Sequence, residues 1–422
     1  MYSIAAITLG CKVNQYDTEA ILRDFAAIGF NVCDNKELAD VYLINTCTVT
    51  NMSDKKSRQM INTALQLNPK AVVVAYGCYA QVEPDTLKKI EGVSLVIGTE
   101  DKERVAEIVA NHLNLSYKPS TATLSPKRTR AYLKIQDGCD QFCSYCIVPY
   151  ARGAVKSRTI GELVSEAKEL IEKGCKEIVL SGIQIASYGK DFTKGNDNII
   201  KLINEICSLP NLKRLRLGSL DPCIVTDNFV EALKKSDIVC DQFHLSLQSG
   251  CDTTLEKMNR KYTTKEYAAA ANKLRQSFPQ STLTTDIIVG FPGESEQDFA
   301  KSMSFVEKMG FFRVHVFPYS PKNGTPAAAM PGQLSQNIKK QRSRQMRELA
   351  DKLSLSTYQQ YIGEILPVLF ESQIDGYWEG HSSNYLTVRS KSTQNLENNI
   401  LPVSLTHIDN GIAYGEVILN LN

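Results

Sequence analysis

No run of apolar residues in this 422-residue chain approaches the ~18–20 that a membrane span requires. An excess of one charge is missing too. Forty-eight Lys+Arg stand against 46 Asp+Glu, a formal net of +2, so bulk charge does not announce a nucleic-acid binder. Nor does a basic-then-apolar leader open the chain, since Met1-Tyr2-Ser3 runs straight into a strand-like segment. An internal repeat is also lacking. These absences exclude a membrane protein and leave a cytoplasmic chain as the expectation. With 43% apolar and 22% charged residues the composition is that of ordinary globular domains, which excludes a wholly disordered chain. What is abundant is cysteine. Twelve thiols in a long chain without a leader read as reduced, some of them metal ligands, rather than as a disulfide framework.

The length allows two to four domains. Charge is uneven along it: residues 1–125 are net −2, residues 126–362 net +9 and residues 363–422 net −5. In the first third, short apolar runs (Ile4–Leu9, Val41–Asn45, Ala71–Tyr76, Ser94–Ile97) alternate with helical spacing (Glu19–Ile28, Asp54–Gln66). Strands alternating with helices imply a parallel sheet, and continuous apolar runs imply strands covered on both faces. This predicts a doubly wound α/β domain over residues 1–118.

Residues 115–130 have linker composition. After them come six strand-like runs, at Tyr132–Ile135, Glu177–Leu180, Arg214–Gly218, His244–Leu247, Leu283–Val289 and Phe312–Phe317. Helical stretches such as Gly161–Lys173, Asn228–Lys235, Lys265–Arg275 and Glu296–Lys308 lie between them. Six βα units predict a partial (β/α)6 TIM-like barrel over residues 128–355, functional at its strand C-terminal ends, with a basic helix Asn337–Lys352 trailing it. The last segment, residues 360–422, reads as a small β-barrel of short strands (Ile365–Glu371, Tyr385–Val388, Pro402–Thr406, Ala413–Leu419).

Two groups of cysteines stand at strand ends. Cys139, Cys143 and Cys146 follow the first barrel strand at i, i+4 and i+7, in Gly138-Cys139-Asp140-Gln141-Phe142-Cys143-Ser144-Tyr145-Cys146. A short loop can turn all three sulfurs toward one centre. Iron–sulfur clusters commonly take four thiolates, so three would leave one iron open. Zinc is the alternative, but it prefers four protein ligands. Cys11, Cys47 and Cys78 each follow a strand of the N-terminal sheet, in Leu9-Gly10-Cys11, Asn45-Thr46-Cys47 and Tyr76-Gly77-Cys78. Parallel strands bring such ends to one edge, where ligands of open α/β sheets bind. The bland alternative is three buried small apolar residues.

The C-x₃-C-x₂-C run after a first barrel strand resembles the radical S-adenosylmethionine (SAM) superfamily. The whole chain resembles the radical-SAM methylthiotransferases, on Gly10–Ala20 (GCKVNQYDTEA), Asn45–Thr50 (NTCTVT), Tyr76–Gln81 (YGCYAQ) and Gly138–Gly153 (GCDQFCSYCIVPYARG). The Gly-Cys-Lys-Val-Asn form is similar to the bacterial subgroup that modifies threonylcarbamoyladenosine in tRNA. The resemblance implies two [4Fe-4S] clusters, one on Cys139, Cys143 and Cys146 and one on Cys11, Cys47 and Cys78, with SAM chelated at the open iron of the first. These six cysteines are the implied catalytic and metal-binding residues. It implies radical C–H activation at adenine C2 of N6-threonylcarbamoyladenosine at position 37, 3′ of the anticodon, then sulfur insertion and methylation by a second SAM. It also implies a C-terminal barrel of the TRAM type. The implied partners are the tRNA anticodon loop, an electron donor such as flavodoxin or ferredoxin, and a sulfur donor that the sequence does not name.

SAM contacts are expected at strand ends. Gly182 and Gln184 follow the second strand and Ser219 the third; the alternative for Gly182 is an ordinary turn. Gln248 follows the fourth, and His244 beneath it reads as a core histidine. Ile288 and Gly290 lie in the strand that resembles the superfamily's adenine-binding segment. Tyr145 is expected beside the adenine. Arg260 is assigned to the SAM carboxylate or an RNA phosphate, with a plain surface charge as alternative. Cys175, Cys207 and Cys240 read as core thiols. RNA phosphates are expected at Arg128, Arg130, Arg152, Lys156 and Arg158 and on the basic helix at Lys340 and Arg344. Tyr377, Trp378, Tyr385 and Arg389 are expected to meet exposed bases, because the acidic C-terminal barrel is poorly suited to a purely electrostatic grip. Competing readings are the same chemistry on another tRNA nucleoside or a ribosomal-protein side chain, or a non-enzymatic iron–sulfur RNA-binding protein.

Overall fold

A computed structural model describes residues 1–117, 129–193 and 197–418. The described residues fall into two compact units. One comprises those of Met1–Ser125, Gln136–Lys156 and Ser320–Ala329. The other comprises those of Pro126–Ile135, Ser157–Tyr319 and Met330–Asn422.

The first unit is built on a five-stranded parallel sheet, in the order Asn31–Cys33, Ser3–Thr8, Val41–Thr46, Val72–Gly77, Val93–Ile97. Its central strand is buried at all six positions, because alternate residues feed a core on each face: Val41 and Leu43 meet Phe25, Val74 and Val105, while Tyr42 and Ile44 meet Ile61, Ala64 and Val73. The strand order reverses between Ser3–Thr8 and Val41–Thr46, and such a switch point opens a crevice at the C-terminal ends of the two strands. Cys11 and Cys47 stand at the mouth of that crevice in sequence.

The first helix spans Lys12–Ala27, seven residues earlier than its apolar spacing predicts. Its opening turns bury Asn14, Asp17 and Thr18 rather than hydrocarbon, so a search for an apolar stripe passes over them. The edge strand Asn31–Cys33 is exposed at two of its three positions. Two further loops belong to this unit. Gln136–Lys156 follows the first barrel strand in sequence, and Ser320–Ala329 follows the last.

The second unit holds six parallel strands, Arg130–Lys134, Glu177–Ser181, Arg214–Leu217, Gln242–His244, Thr282–Val289 and Arg313–Pro318. They pair as two three-stranded ladders, joined between the third and fourth strands by the bridges Leu215–Val239 and Leu220–Leu245. The helices, including an unpredicted one at Ile199–Cys207, pack outside on a continuous hydrocarbon core. The last helix is longer than expected, Gln336–Gln360. It leads into a closed five-stranded barrel of Ile365–Ile374, Tyr377–Ser382, Thr387–Ser390, Ile412–Val417 and Ile400–Asp409 in that order.

At the N-terminal ends of the six strands lies a buried ionic layer. Glu177, fully buried, accepts from Arg216 Nε at 2.7 Å, with Arg214 at 3.7 Å and Arg130 at 4.0 Å. The small barrel closes this layer: Arg214 donates to the carbonyls of His381 and Pro367, Arg216 to that of Ser383, and Thr282 to that of Asn384. Tyr385 sits among the guanidinium groups of Arg216, Arg130 and Arg313, at 4.7, 5.3 and 5.8 Å from its ring centroid. Burial pushes the Glu177 carboxyl up, but Arg216, backed by Arg130 and Arg214, outweighs it and holds the group at about 2. A carboxyl held below its ordinary value stabilises the fold at neutral pH and loses that contribution as pH falls from about 5 toward 2. Glu177→Gln is therefore expected to lose about 3–5 kcal/mol at pH 7, since the buried Arg214 and Arg216 lose their counter-ion. Its stability should also fall less steeply than wild type between pH 5 and about 2. Denaturant melts across that range check both.

Candidate functional site

In the first unit the three N-terminal thiols end three strands, and glycine geometry explains how they come close. Gly10 (φ +96°) and Gly77 (φ +98°) turn the chain in the left-handed region immediately before Cys11 and Cys78. A Cβ on Gly10 would stand 2.8 Å from Cys47 Sγ, so the Cys47 thiol rests on the backbone beside Cys11. Ser57 brackets Cys47, its hydroxyl 3.3 Å from both the Cys47 amide and carbonyl. Cys47 and Cys78 are buried and Cys11 is exposed. Burial pushes the Cys78 thiol up to about 11; the positive charge of Arg152 opposes that, while Cys11 and Cys47 add to it. Burial likewise raises Cys47, and a charge on Cys11 would raise it further. Two buried thiols whose ionisation is opposed need a cation to become thiolates, and an iron–sulfur cluster would supply one.

Behind the thiols lies a polar layer made from the same motifs. Asn14 donates to the carbonyls of Leu9 (2.7 Å) and Thr46 (3.3 Å), while its Oδ1 lies 3.8 Å from Cys11 Sγ. Asn45 donates to Asn14 O and Thr18 Oγ1, and Thr18 Oγ1 is 2.9 Å from Tyr76 OH. Asn14 and Thr18 come from GCKVNQYDTEA, Asn45 from NTCTVT and Tyr76 from YGCYAQ, so each motif pairs its cysteine with a residue that holds the strand ends in register.

Arg152 corrects a sequence expectation. Its side chain is 2% exposed, pairs with Asp137 at 2.7 Å and Asp17 at 3.6 Å, and also donates to Asn14 Oδ1. Lys102 completes the group, paired with Asp137 and 3.7 Å from Asp17. A guanidinium enclosed by two carboxylates has no face left for an RNA phosphate. Asp17, Lys102 and Asp137 were not singled out from sequence.

The Cys139 loop wraps by local geometry. Gly138 (φ +71°) and Phe142 (φ +45°) are both left-handed. The Cys139 amide donates to Gly153 O and that of Cys146 to Cys143 O, each at 3.0 Å. Cys143 is buried; Cys139, Tyr145 and Cys146 are half-buried. Both cysteine trios thus fall in one compact unit. The segment Ser320–Ala329 touches the loops of both. Lys322 Nζ bonds Asp54 and Thr48 Oγ1 next to Cys47, and Ser320 and Pro321 accept from Asn51. Ala327 donates to Ser144 O beside Cys143 at 2.8 Å. The only sequence signal for this clip was the turn-rich Ser-Pro-Lys-Asn-Gly-Thr-Pro run.

In the second unit, three residues converge past the strand ends. Arg260 Nη2 donates to Asp221 Oδ2 at 3.0 Å and Gln184 Nε2 to the same oxygen at 3.5 Å. Arg260 also stacks on Tyr262 (4.7 Å) and donates to its hydroxyl. The structure thus brings Gln184 and Arg260 together around Asp221, which sequence did not single out, and Arg260 is buried rather than a surface charge. Ser219 is exposed and Gly182 half-buried. Gln248 is itself left-handed (φ +71°), so strand alternation does not set its direction. Ile288 is half-buried. Gly290 (φ +72°) is needed partly for packing, because a Cβ there would meet Lys339 Cγ at 2.5 Å.

The expected RNA contacts divide. Arg128 lies outside the described residues. Arg130 is corrected: it is bound to Glu371 at 2.7 Å and stacked on Tyr385 inside the ionic layer. Tyr385 itself is half-buried there, with three guanidinium groups around its ring. Arg158 pairs with Glu166 at 2.7 Å; Arg344 pairs with Glu348 at 2.8 Å but is exposed, as are Lys156 and Lys340. Trp378 is half-buried and packs against the core of the small barrel. Tyr377 and Arg389 do share a pocket of about 570 Å³ with Lys391, His407 and Tyr414. Tyr414 lies parallel to His407 (5.0 Å) and edge-on to Tyr377 (5.3 Å).

Comparison with known proteins agrees with this layout. The family described as the Radical SAM superfamily matches residues 133–306, and the Uncharacterized protein family UPF0004 matches residues 3–98. The chain is similar to the threonylcarbamoyladenosine tRNA methylthiotransferase MtaB of Bacillus subtilis (strain 168), at 39% identity covering 99% of this chain and 96% of that one. It is similar to the tRNA-2-methylthio-N(6)-dimethylallyladenosine synthase of Methylacidiphilum infernorum (isolate V4), at 33% identity covering 100% and 96%. Among solved structures, the radical S-adenosylmethionine methyltransferase TsrM from Kitasatospora setae shares the fold, with TM-score 0.58 and 15% identity over 78% of this chain and 77% of that one.

Proposed function

This chain belongs to the radical-SAM tRNA methylthiotransferases, and from that premise we propose that it converts N6-threonylcarbamoyladenosine beside the tRNA anticodon to its 2-methylthio derivative. The enzyme uses SAM and [4Fe-4S] clusters. The observation that carries the reading to this chain's own residues is the presence of two cysteine trios in one compact unit. An all-sulfur set of three suits a four-iron cluster with one open iron. Cys139, Cys143 and Cys146 hold the cluster that binds SAM, and Cys11, Cys47 and Cys78 hold the second. When bound, these groups supply radical cleavage of an unreactive aromatic C–H bond and the sulfur that replaces it.

The protein's share is binding and positioning. Asp221 meets the SAM ammonium, while Arg260 and Gln184 meet its carboxylate. Ile288 flanks the adenine, Gly182, Ser219, Gln248 and Gly290 border the cofactor, and Tyr145 stays with the Cys139 loop. Lys156 and Lys340 contact RNA phosphates. The Tyr377, His407 and Tyr414 rings, with Arg389 and Lys391 at their edge, receive a base, as stacking platforms do in other single-stranded RNA readers. The electron comes from a flavodoxin- or ferredoxin-type donor, and the site of action is the cytoplasm. Among the described residues no helix is long and apolar enough to cross a membrane.

The test is mass spectrometry of tRNA nucleosides from a strain deleted for this gene. The 2-methylthio-threonylcarbamoyl nucleoside should disappear while threonylcarbamoyladenosine accumulates, and the gene on a plasmid should restore it. Persistence of that nucleoside in the deletion strain overturns the reading.

A further inference from the structure

We propose that Phe142 and Tyr150 form a stacking platform for an anticodon-loop base that flanks the modified adenosine. The proposal rests on the function above and deepens it, naming a part of the RNA grip that charge does not supply. Among the described residues these are the two most exposed Phe, Tyr or Trp side chains, at 50% and 49%. They meet edge to face, with ring centroids 5.8 Å apart and planes at 79°. Both belong to the compact unit that carries the two cysteine trios.

Local structure holds each ring outward. Phe142 immediately precedes the buried Cys143, and its left-handed φ of +45° lets the thiol enter the protein while the ring faces solvent. Bulky side chains rarely adopt that conformation, and such strain collects at ligand clamps. Tyr150 stands in the short helix Val148–Arg152, where Pro149 and Ala151 are buried, so its ring takes the outer side. That turn is closed by the Ala151 amide on Ile147 O at 3.0 Å and the Gly153 amide on Pro149 O at 2.9 Å. Gly153 O in turn accepts from the Cys139 amide, so the rings are fixed to the loop of Cys139, Cys143 and Cys146.

Area decides between occupants. Two half-exposed rings offer about 200 Å² between them, whereas a specific protein interface needs about 800 Å² on each side. An electron-donor protein would need far more than this pair. A single nucleobase needs one ring face, and every base has a π-face whatever the sequence. Drawing the modified adenosine into a pocket strips its neighbour of a stacking partner, and an aromatic ring can take that place. The perpendicular pair makes a corner: a base lying flat on one ring meets the other edge-on, an arrangement that ring quadrupoles favour. Lys156, exposed in the same unit, offers a cation to a backbone phosphate.

The test measures binding of anticodon stem-loops to the anaerobic holoenzyme. The double variant Phe142→Leu/Tyr150→Leu keeps apolar bulk without π-faces. It should bind the threonylcarbamoyladenosine stem-loop about 5–150-fold more weakly, as loss of one base–aromatic stack predicts. Its salt dependence should stay that of wild type, since no phosphate contact is lost. Phe142→Trp/Tyr150→Trp should restore the affinity. A stem-loop made abasic on one side of the modified adenosine should bind wild type about as weakly, and the double variant should bind that RNA no worse than wild type does. The abasic RNAs decide the matter with unaltered protein if the double variant loses iron. Undiminished affinity in an iron-replete double variant, or full affinity of wild type for the abasic RNAs of both sides, overturns the platform. Unchanged RNA binding with slower cluster reduction by reduced flavodoxin overturns it in favour of donor docking. Failure of wild type to distinguish the threonylcarbamoyladenosine stem-loop from an unrelated hairpin, with no methylthio product, overturns the functional reading and the platform with it.

Discussion

Cys47→Ala protein, reconstituted anaerobically, is expected to hold about four irons per chain where wild type holds about eight, and Cys143→Ala should match it. The two variants should nonetheless differ in chemistry. Cys47→Ala should still cleave SAM to methionine and 5′-deoxyadenosine when reduced, and Cys143→Ala should not. Neither should form methylthiolated tRNA. The expectation follows from each trio having supports of its own. Cys47 is fixed by Ser57 and the Gly10 backbone, and the Cys139 loop by its own turns and by Gly153. Cys175→Ala is the control: this thiol is buried in the barrel core, within 3.1 Å of Glu177 O, and its loss should release no iron. A variant of either trio that keeps all its iron, or loses all of it, overturns the assignment of one cluster per trio.

The strand-end cysteines were readable from sequence because residue type and topology coincide there. A parallel sheet delivers strand C-termini to one edge whatever the details of packing. The partial barrel was readable for a similar reason, since six apolar runs spaced by helices admit few arrangements. What escaped were the relationships that only a folded chain creates. Asn14, Asp17 and Thr18 are polar residues on a buried helix face, so apolar periodicity started the helix seven residues late. Lys102 and Asp137 are separated by 35 residues and Lys322 and Asp54 by 268, and nothing in local composition marks either pair. The basic residues show the same blindness. A sequence displays the sign of Arg130, Arg152 and Arg342 but not their partners, and all three are enclosed by carboxylates. The strand Tyr377–Ser382 was missed because its aromatic residues were read for their stacking ability rather than for strand propensity.

Arg152→Met is expected to lose about 3–5 kcal/mol of stability, the cost of removing one partner from a buried ionic group. With the guanidinium gone, Asp17 and Asp137 share only Lys102, and the Asn14 side chain loses the donor that fixes its Oδ1 near Cys11. Denaturant melts of the apoprotein measure the loss without any dependence on iron. The double variant Arg152→Met/Asp17→Asn should recover part of it, because a neutral amide does not leave a charge uncompensated; a double-mutant cycle reads that coupling directly. The same experiment separates this structural role from the one its charge suggested. An arginine serving an RNA phosphate would leave the melt unchanged, lower tRNA affinity and reduce its salt dependence by about one ion. An arginine that ties the strand ends to the Cys139 loop does the reverse. Its loss should lower the melt first and take iron from the Cys11, Cys47 and Cys78 trio, while folded protein keeps the salt slope of wild type. An unchanged melt with a shallower slope would return Arg152 to the RNA surface and leave Asp17 and Asp137 needing a different cation.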